Sequence, residues 1–168
     1  MTTPLTKEVR YVQNPALGAV LLWRFSVGFT ESHTTSDSPV LPLSFLVLPI
    51  LMHHETFDFL RSTQKQTGLH GFADKFSRTA VSRSDLLLAI HTRAEAMKAL
   101  TIESLQAGVR HSLITLTSRD AKLLPLSTTK PSGIAASLKP MIDGAEKLGV
   151  WFSQMTPFEV FTTLKVAL

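Results

Sequence analysis

Apolar residues recur along this chain mostly at helical spacing, in stretches separated by short polar breaks, and one region alternates instead in the manner of strands. The segment from Met1 to Gln13 is polar and is expected to be mobile. Asn14-Pro15 then combines an N-cap residue with proline at the first helical position. A helix is predicted from Pro15 to about Phe29, with Leu17, Leu21, Phe25 and Phe29 recurring every four residues. Val20, Trp23 and Val27 widen that stripe, so the helix is expected to be buried on more than one side. The polar stretch His33 to Pro39 reads as a loop.

The densest apolar run follows, Pro42-Leu-Ser-Phe-Leu-Val-Leu-Pro-Ile-Leu-Met-His-His54. Its 13 residues fall short of the roughly 20 needed to cross a bilayer. With Pro42 and Pro49 inside it, the run predicts a short helix entered at Pro42 and kinked or broken around Pro49. Glu55 to Arg61 continues as a helix burying Phe57 and Leu60. Ser62 to Gly68 breaks the period, and a further helix runs from Thr67 or Gly68 to about Phe76, with Leu69, Phe72, Ala73 and Phe76 on one side.

Ser82 and Ser84 offer N-caps for a helix whose buried face is Leu86, Leu87, Ile90, Ala94 and Met97. A second helix is expected from near Thr101 to Gly108, where glycine suits a left-handed cap. Leu113 to Thr117 and Lys122 to Leu126 flank the polar turn Ser118-Arg-Asp-Ala121 and read as a short hairpin, with Pro125 confining the second strand to an edge or an end. Helix, helix and hairpin over residues 82–127 is the local order of a winged helix. Residues 135–168 predict two more helices. The first has Met141, Ile142, Ala145, Leu148 and Phe152 inward, and the second opens on the capping box Thr156-Pro157-Phe158-Glu159. The expected fold is therefore a single mainly α domain over 1–168, with a short β-hairpin and a winged-helix-like middle flanked by N- and C-terminal helices. The apolar tail Leu164 to Leu168 must dock on this chain or on another.

Composition changes the picture in one respect. Of the 168 residues 44% are hydrophobic and 18% charged, below the roughly 25% charged that is usual, so part of the surface is expected to face another protein. The net charge of +4 is a mild bias toward anionic partners, and no block of like charges occurs. The chain has no cysteine, which excludes disulfides, thiolate zinc sites and cysteine catalysis and agrees with a cytoplasmic setting. No secretory signal is evident at the N-terminus.

Candidate chemistry is sparse. His53-His54 with Glu55 invites a metal reading, but adjacent histidines on a helix point to different sides, whereas a helical pair of ligands needs a spacing such as i and i+4. These residues are instead expected to end the buried helix and cap its carbonyls. No Gly-x-Ser-x-Gly elbow, phosphate-binding glycine loop or paired carboxylates can be found. No catalytic, cofactor or metal residue is assigned, and the chain is not read as an enzyme. Near the hairpin, Arg110, His111, Arg119, Lys122 and Lys130 could meet phosphates in a DNA-binding winged helix, although a solvated hairpin explains them better, since a phosphate-binding face usually shows denser charge.

Two segments carry a family resemblance. Phe45-Leu-Val-Leu-Pro-Ile-Leu-Met-His53 resembles the Phe-Leu-x-Leu-Pro-x-x-Leu-His signature of the middle component of bacterial three-component ABC systems. Ala145-Glu-Lys-Leu-Gly-Val-Trp-Phe-Ser153 is similar to that family's Ala-x-x-Leu-Gly-x-Trp-Phe motif, and Asn14-Pro15-Ala16-Leu17 to its usual opening. The chain departs from the family in ending Lys165-Val-Ala-Leu168 where Gly-x-x-Pro is frequent. The resemblance implies an adaptor without catalytic residues or cofactor, beside an SMC/Rad50-like ABC ATPase and an effector-bearing third component, in anti-phage or anti-plasmid defence. The complex would engage double-stranded DNA and no membrane. Phe45, Leu48, Pro49, Leu51, Leu148, Trp151 and Phe152 are then packing or partner-binding residues. A stand-alone winged-helix regulator binding DNA is the alternative.

Overall fold

The computed structural model describes residues 14–76 and 83–167. The mobile segment expected at the N-terminus, Ser82 and the side chains of Leu86 and Leu87 lie outside the described residues. Helix α1 spans Pro15–Ser32, and the Asn14 side chain accepts the backbone N–H groups of Ala16 and Leu17, two donors with no partner inside the helix. Every residue from Leu21 to Phe29 is buried, so α1 is enclosed and not amphipathic, as its widened stripe predicted.

The apolar run breaks at a different place from the one expected. It forms two short helices, α2 (Leu41–Ser44) and α3 (Val47–Leu51), parted at Phe45 and Leu46. Pro49 does not break its helix, because it sits in the first turn of α3, where the N–H that proline lacks would have had no intrahelical acceptor. The following helices are α4 (His54–Ser62) and, after a 3-10 turn at Lys65–Thr67, α5 (Gly68–Lys75). Leu69, Phe72, Ala73 and Phe76 are all buried, as their spacing predicted. Phe57 is only half-buried, and Thr56 takes a buried place beside Leu60.

Helices α6 (Arg83–Ala96) and α7 (Lys98–Arg110) lead into strands β1 (Ile114–Leu116) and β2 (Leu123–Pro125). Ser84 falls within the first turn of α6. Helix α7 starts earlier than expected and runs through Gly108. That glycine is needed for proximity and not for a cap: a Cβ there would stand 2.8 Å from Ile114 Cδ1, so its absence lets β1 lie on the helix. The strands pair antiparallel with Ile114 opposite Pro125, which places the proline at the strand's end. The loop after α1 also joins the hairpin, since Leu123 N–H donates to Pro39 O at 2.8 Å and Leu41 N–H to Ala121 O at 2.8 Å.

The last helices are α8 (Lys139–Ser153) and α9 (Pro157–Leu164). The capping box at α9 is complete, with the Thr156 hydroxyl accepting from Glu159 N–H and the Glu159 carboxylate accepting from Thr156 N–H. These bonds hold the Glu159 carboxyl below its usual range, chiefly through the Thr156 backbone N–H. Leu164 and Val166 are buried, so the apolar tail docks on its own chain as far as Val166.

The core centres on α1, which meets α7 through Gly18 and Ala19 and α8 through Phe25, Gly28 and Phe29. At the α1–α8 seam two glycines face opposite backbones. A Cβ on Gly28 would lie 2.3 Å from Glu146 O, and one on Gly149 would lie 2.2 Å from Phe25 O. Phe25 and Phe152 then meet edge to face at 5.5 Å.

Candidate functional site

The motif in α8 is spent on internal contacts, residue by residue. Ala145, Leu148, Trp151 and Phe152 are fully buried. Glu146 takes Arg24 Nη2 at 2.5 Å and Nε at 2.8 Å, and the Arg24 side chain is only 3% exposed. The Lys147 ammonium donates to the carbonyls of Leu60 at 3.1 Å and Thr63 at 3.0 Å, closing the C-terminal end of α4. Burial and the nearby Lys75 lower the Lys147 amine from its ordinary value. The Trp151 indole donates to Lys65 O at 2.9 Å. In the other motif Leu48, Pro49 and Leu51 are buried, whereas Phe45 is half-exposed. Among these seven named residues only Phe45 reaches the surface.

Arg24 escapes a reading based on periodicity, and its signal is plain in retrospect: it is the one charged residue between Pro15 and Thr30. Its Nη1 also reaches Thr128 O and Thr129 O at 3.3 Å, and the Trp23 indole donates to Ser127 O at 2.7 Å. Together they strap the exit of the hairpin onto α1.

The basic residues singled out near the hairpin do not form one face of unpaired charge. Arg110 ends α7, His111 follows it and Arg119 stands on the hairpin turn, all exposed. Lys122 is held by Asp37 at 2.7 Å and Asp120 at 3.3 Å. The Lys122 hydrogen bond holds the Asp37 carboxyl below its usual range, and Asp37 in turn raises the amine. Lys130 lies beyond the hairpin, at a recess it shares with Lys139 and Asp143. Between its exposed cationic ends, Lys98 and Arg110, the solvent side of α7 carries Ala99, Ile102, Glu103, Gln106 and Val109 and no further cation.

His53 does not cap the helix before it but precedes α4. Its Nδ1 lies 2.8 Å from the Thr56 hydroxyl, which also accepts from Arg93 Nη1 at 2.8 Å. Burial first, then the Arg93 charge, lowers the His53 imidazole, and burial brings the Arg93 guanidinium to about 10. A histidine lowered in the folded state takes up its proton later than in the unfolded chain. Stability is therefore expected to fall as pH drops below about 6.5, until the folded group itself titrates, and to be indifferent to this group at higher pH. In urea melts at pH 7.5 and 5.5, His53→Gln should lose less stability on acidification than the parent; an equal loss would contradict the assignment. His54, beside it, pairs with Asp58 at 3.2 Å. Among the described residues no group of three or more potential metal ligands comes together.

An open cleft of about 850 Å³ lies between α2, the start of α7 and α9. Leu41, Pro42, Phe45, Phe158, Phe161 and Val166 line it, with Lys98 and Lys165 at its margin. Phe158 is 78% exposed. The sequence presented Phe158 only as a position inside a capping box, and its neighbours come from separate elements, so no local pattern announces the cleft.

Fold and cleft describe a mainly helical protein with a hairpin set between its helices and an apolar hollow of a size that accepts side chains of a partner. The family model for the ABC-three component (ABC-3C) system Middle Component 3 matches residues 2–168, and the chain belongs to that family. It is thus a component of an ABC-three component system. No curated protein and no solved structure matches it. Among the described residues no helix is long and apolar enough to cross a membrane.

Proposed function

We propose that the chain is a non-catalytic adaptor that joins an SMC/Rad50-like ABC ATPase to an effector-bearing third component in the cytoplasm, in defence against phage or plasmids. The observation that carries this reading is the division of labour in the molecule. The family's motif residues hold the core together, and a wide cleft among the described residues is apolar and open. Such a surface is what an assembly subunit offers and is uncommon on a monomer that acts alone.

DNA binding by the isolated chain is disfavoured on charge. A reader of duplex DNA gains most of its affinity by neutralising several phosphates. Here Lys122 is already matched by two carboxylates, and the solvent side of α7 between Ala99 and Val109 lacks cations. Duplex held by the assembled complex would then be gripped mainly by the other components.

Co-expression with the ABC ATPase and third component encoded beside it tests the reading. The expected result is a complex that survives size-exclusion chromatography with at least one of them, and an isolated chain that gives no salt-dependent shift of duplex DNA. A monomer that ignores both partners, with and without nucleotide, would sink the adaptor role.

A further inference from the structure

We infer that the cleft between α2 and α9 seats an amphipathic helix from another component of the same ABC system, with apolar side chains buried inward and a carboxylate beside Lys165 and Lys98. The inference rests on the adaptor reading and goes further, because it names the surface and the chemistry of what covers it.

The cleft is built by the fold and is not a chance gap in a loose end. At the close of α9, Lys165 adopts a left-handed conformation with φ 53°, and Val166 N–H returns to Phe161 O at 3.0 Å. That turn tucks Val166 into the core and leaves Lys165 pointing away from it, exposed. One wall is therefore fixed by backbone hydrogen bonds. The opposite wall is the junction of α2 with Phe45, where the motif run breaks.

Phe158 has no structural duty that explains a phenylalanine. The capping box that starts α9 is made by Thr156 and Glu159, and the second position of the helix between them accepts almost any residue. Yet it carries a large aromatic side chain, more exposed than any other phenylalanine described. Phe45, Phe161 and Phe158 together make an aromatic-lined hollow, and aromatic side chains are the commonest anchors of protein interfaces.

Charge selects the occupant. The lining contains two lysines and no carboxylate. Lys98 has a counter-ion on its own helix, Glu95 at 3.0 Å, while Lys165 has no ion pair among the described residues. A second copy of this chain related by a two-fold axis would bring Lys165 toward a like-charged rim with no carboxylate in the lining to offset it. A nucleic acid would meet an apolar floor. An apolar helix edged with aspartate or glutamate satisfies both parts of the surface at once.

The test uses the full chain and the two other full-length components. Phe158→Glu is expected to weaken the complex by at least about tenfold. Lys165→Glu should weaken it about two- to fivefold at low salt and flatten its salt dependence. Leu126→Glu, which alters an equally apolar exposed residue away from the cleft, should leave binding unchanged. Because Phe158 is exposed, its variant should melt like the parent. A photo-reactive phenylalanine at position 158 should cross-link to a helical segment of a partner with apolar residues at three- and four-residue spacing and acidic residues along its edge.

Parent-strength binding by both cleft variants, loss of binding in Leu126→Glu instead, or cross-linking to a second copy of the chain would each overturn the cleft while leaving the adaptor role intact. Failure of the parent chain to bind either component would overturn the adaptor role and the cleft with it.

Discussion

Gly149→Ala is expected to destabilise the protein by about 3 kcal/mol or more, although the same change at an exposed helix position would add stability. Alanine is the better helix former by roughly 1 kcal/mol, so local preference and packing have opposite signs here. Packing wins because the obstacle is backbone: the new Cβ would sit 2.2 Å from Phe25 O and 2.6 Å from Phe29 N. Neither atom can rotate away as a side chain would. Helices α1 and α8 must separate, and the contact between Phe25 and Phe152 loosens with them. Against a total stability of about 5–15 kcal/mol, this should appear as a large drop in the urea midpoint. A variant as stable as the parent would show that the two helices are further apart than described.

The second large effect concerns Arg24 and Glu146. Glu146→Ala leaves the Arg24 guanidinium enclosed with only two long hydrogen bonds to carbonyls, at 3.3 Å. Stranding a buried charge in this way costs about 3–5 kcal/mol, with the lower end expected because Glu146 itself is 27% exposed. The double variant Arg24→Met/Glu146→Leu should recover most of that loss, since it removes both charges and keeps the volume. A full double-mutant cycle from urea unfolding measures the coupling. If Glu146→Ala lies within about 0.5 kcal/mol of the parent, as ordinary surface substitutions do, the pair is not the internal clamp described.

Local signals in the chain were sufficient where one side chain decides the outcome. Asn14 starts α1, Thr156 and Glu159 start α9, and the alternation around Ser118 to Ala121 marks the hairpin. They failed where the decision lies with a distant part of the chain. Gly108 reads locally as a cap, yet it is a place where another element comes too close for a Cβ. Pro49 reads as a breaker until the start of α3 is known, after which its missing N–H costs nothing. Arg24 looks like an accidental charge on an apolar helix until Glu146 arrives opposite it. Phe45 belongs to a buried motif by sequence and to the cleft by structure, because its exposure depends on the gap between α2 and α9.

The seam between α1 and α8 also has a history in time. Arg24 and Glu146 are 122 positions apart, so during synthesis α1 emerges with apolar residues on several sides and an unpaired Arg24, and stays without its cover until α8 has been made. At about 5–20 residues per second the delay is on the order of ten seconds. For that interval the nascent chain displays Leu21, Leu22, Phe25 and Phe29 to the cell. Early collapse onto α3 and α7 shields part of that surface, but the face meant for Gly149 stays bare. A trigger-type chaperone holding α1 near the ribosome would therefore raise the yield of folded protein, and slowing translation before Ala145 would lower it.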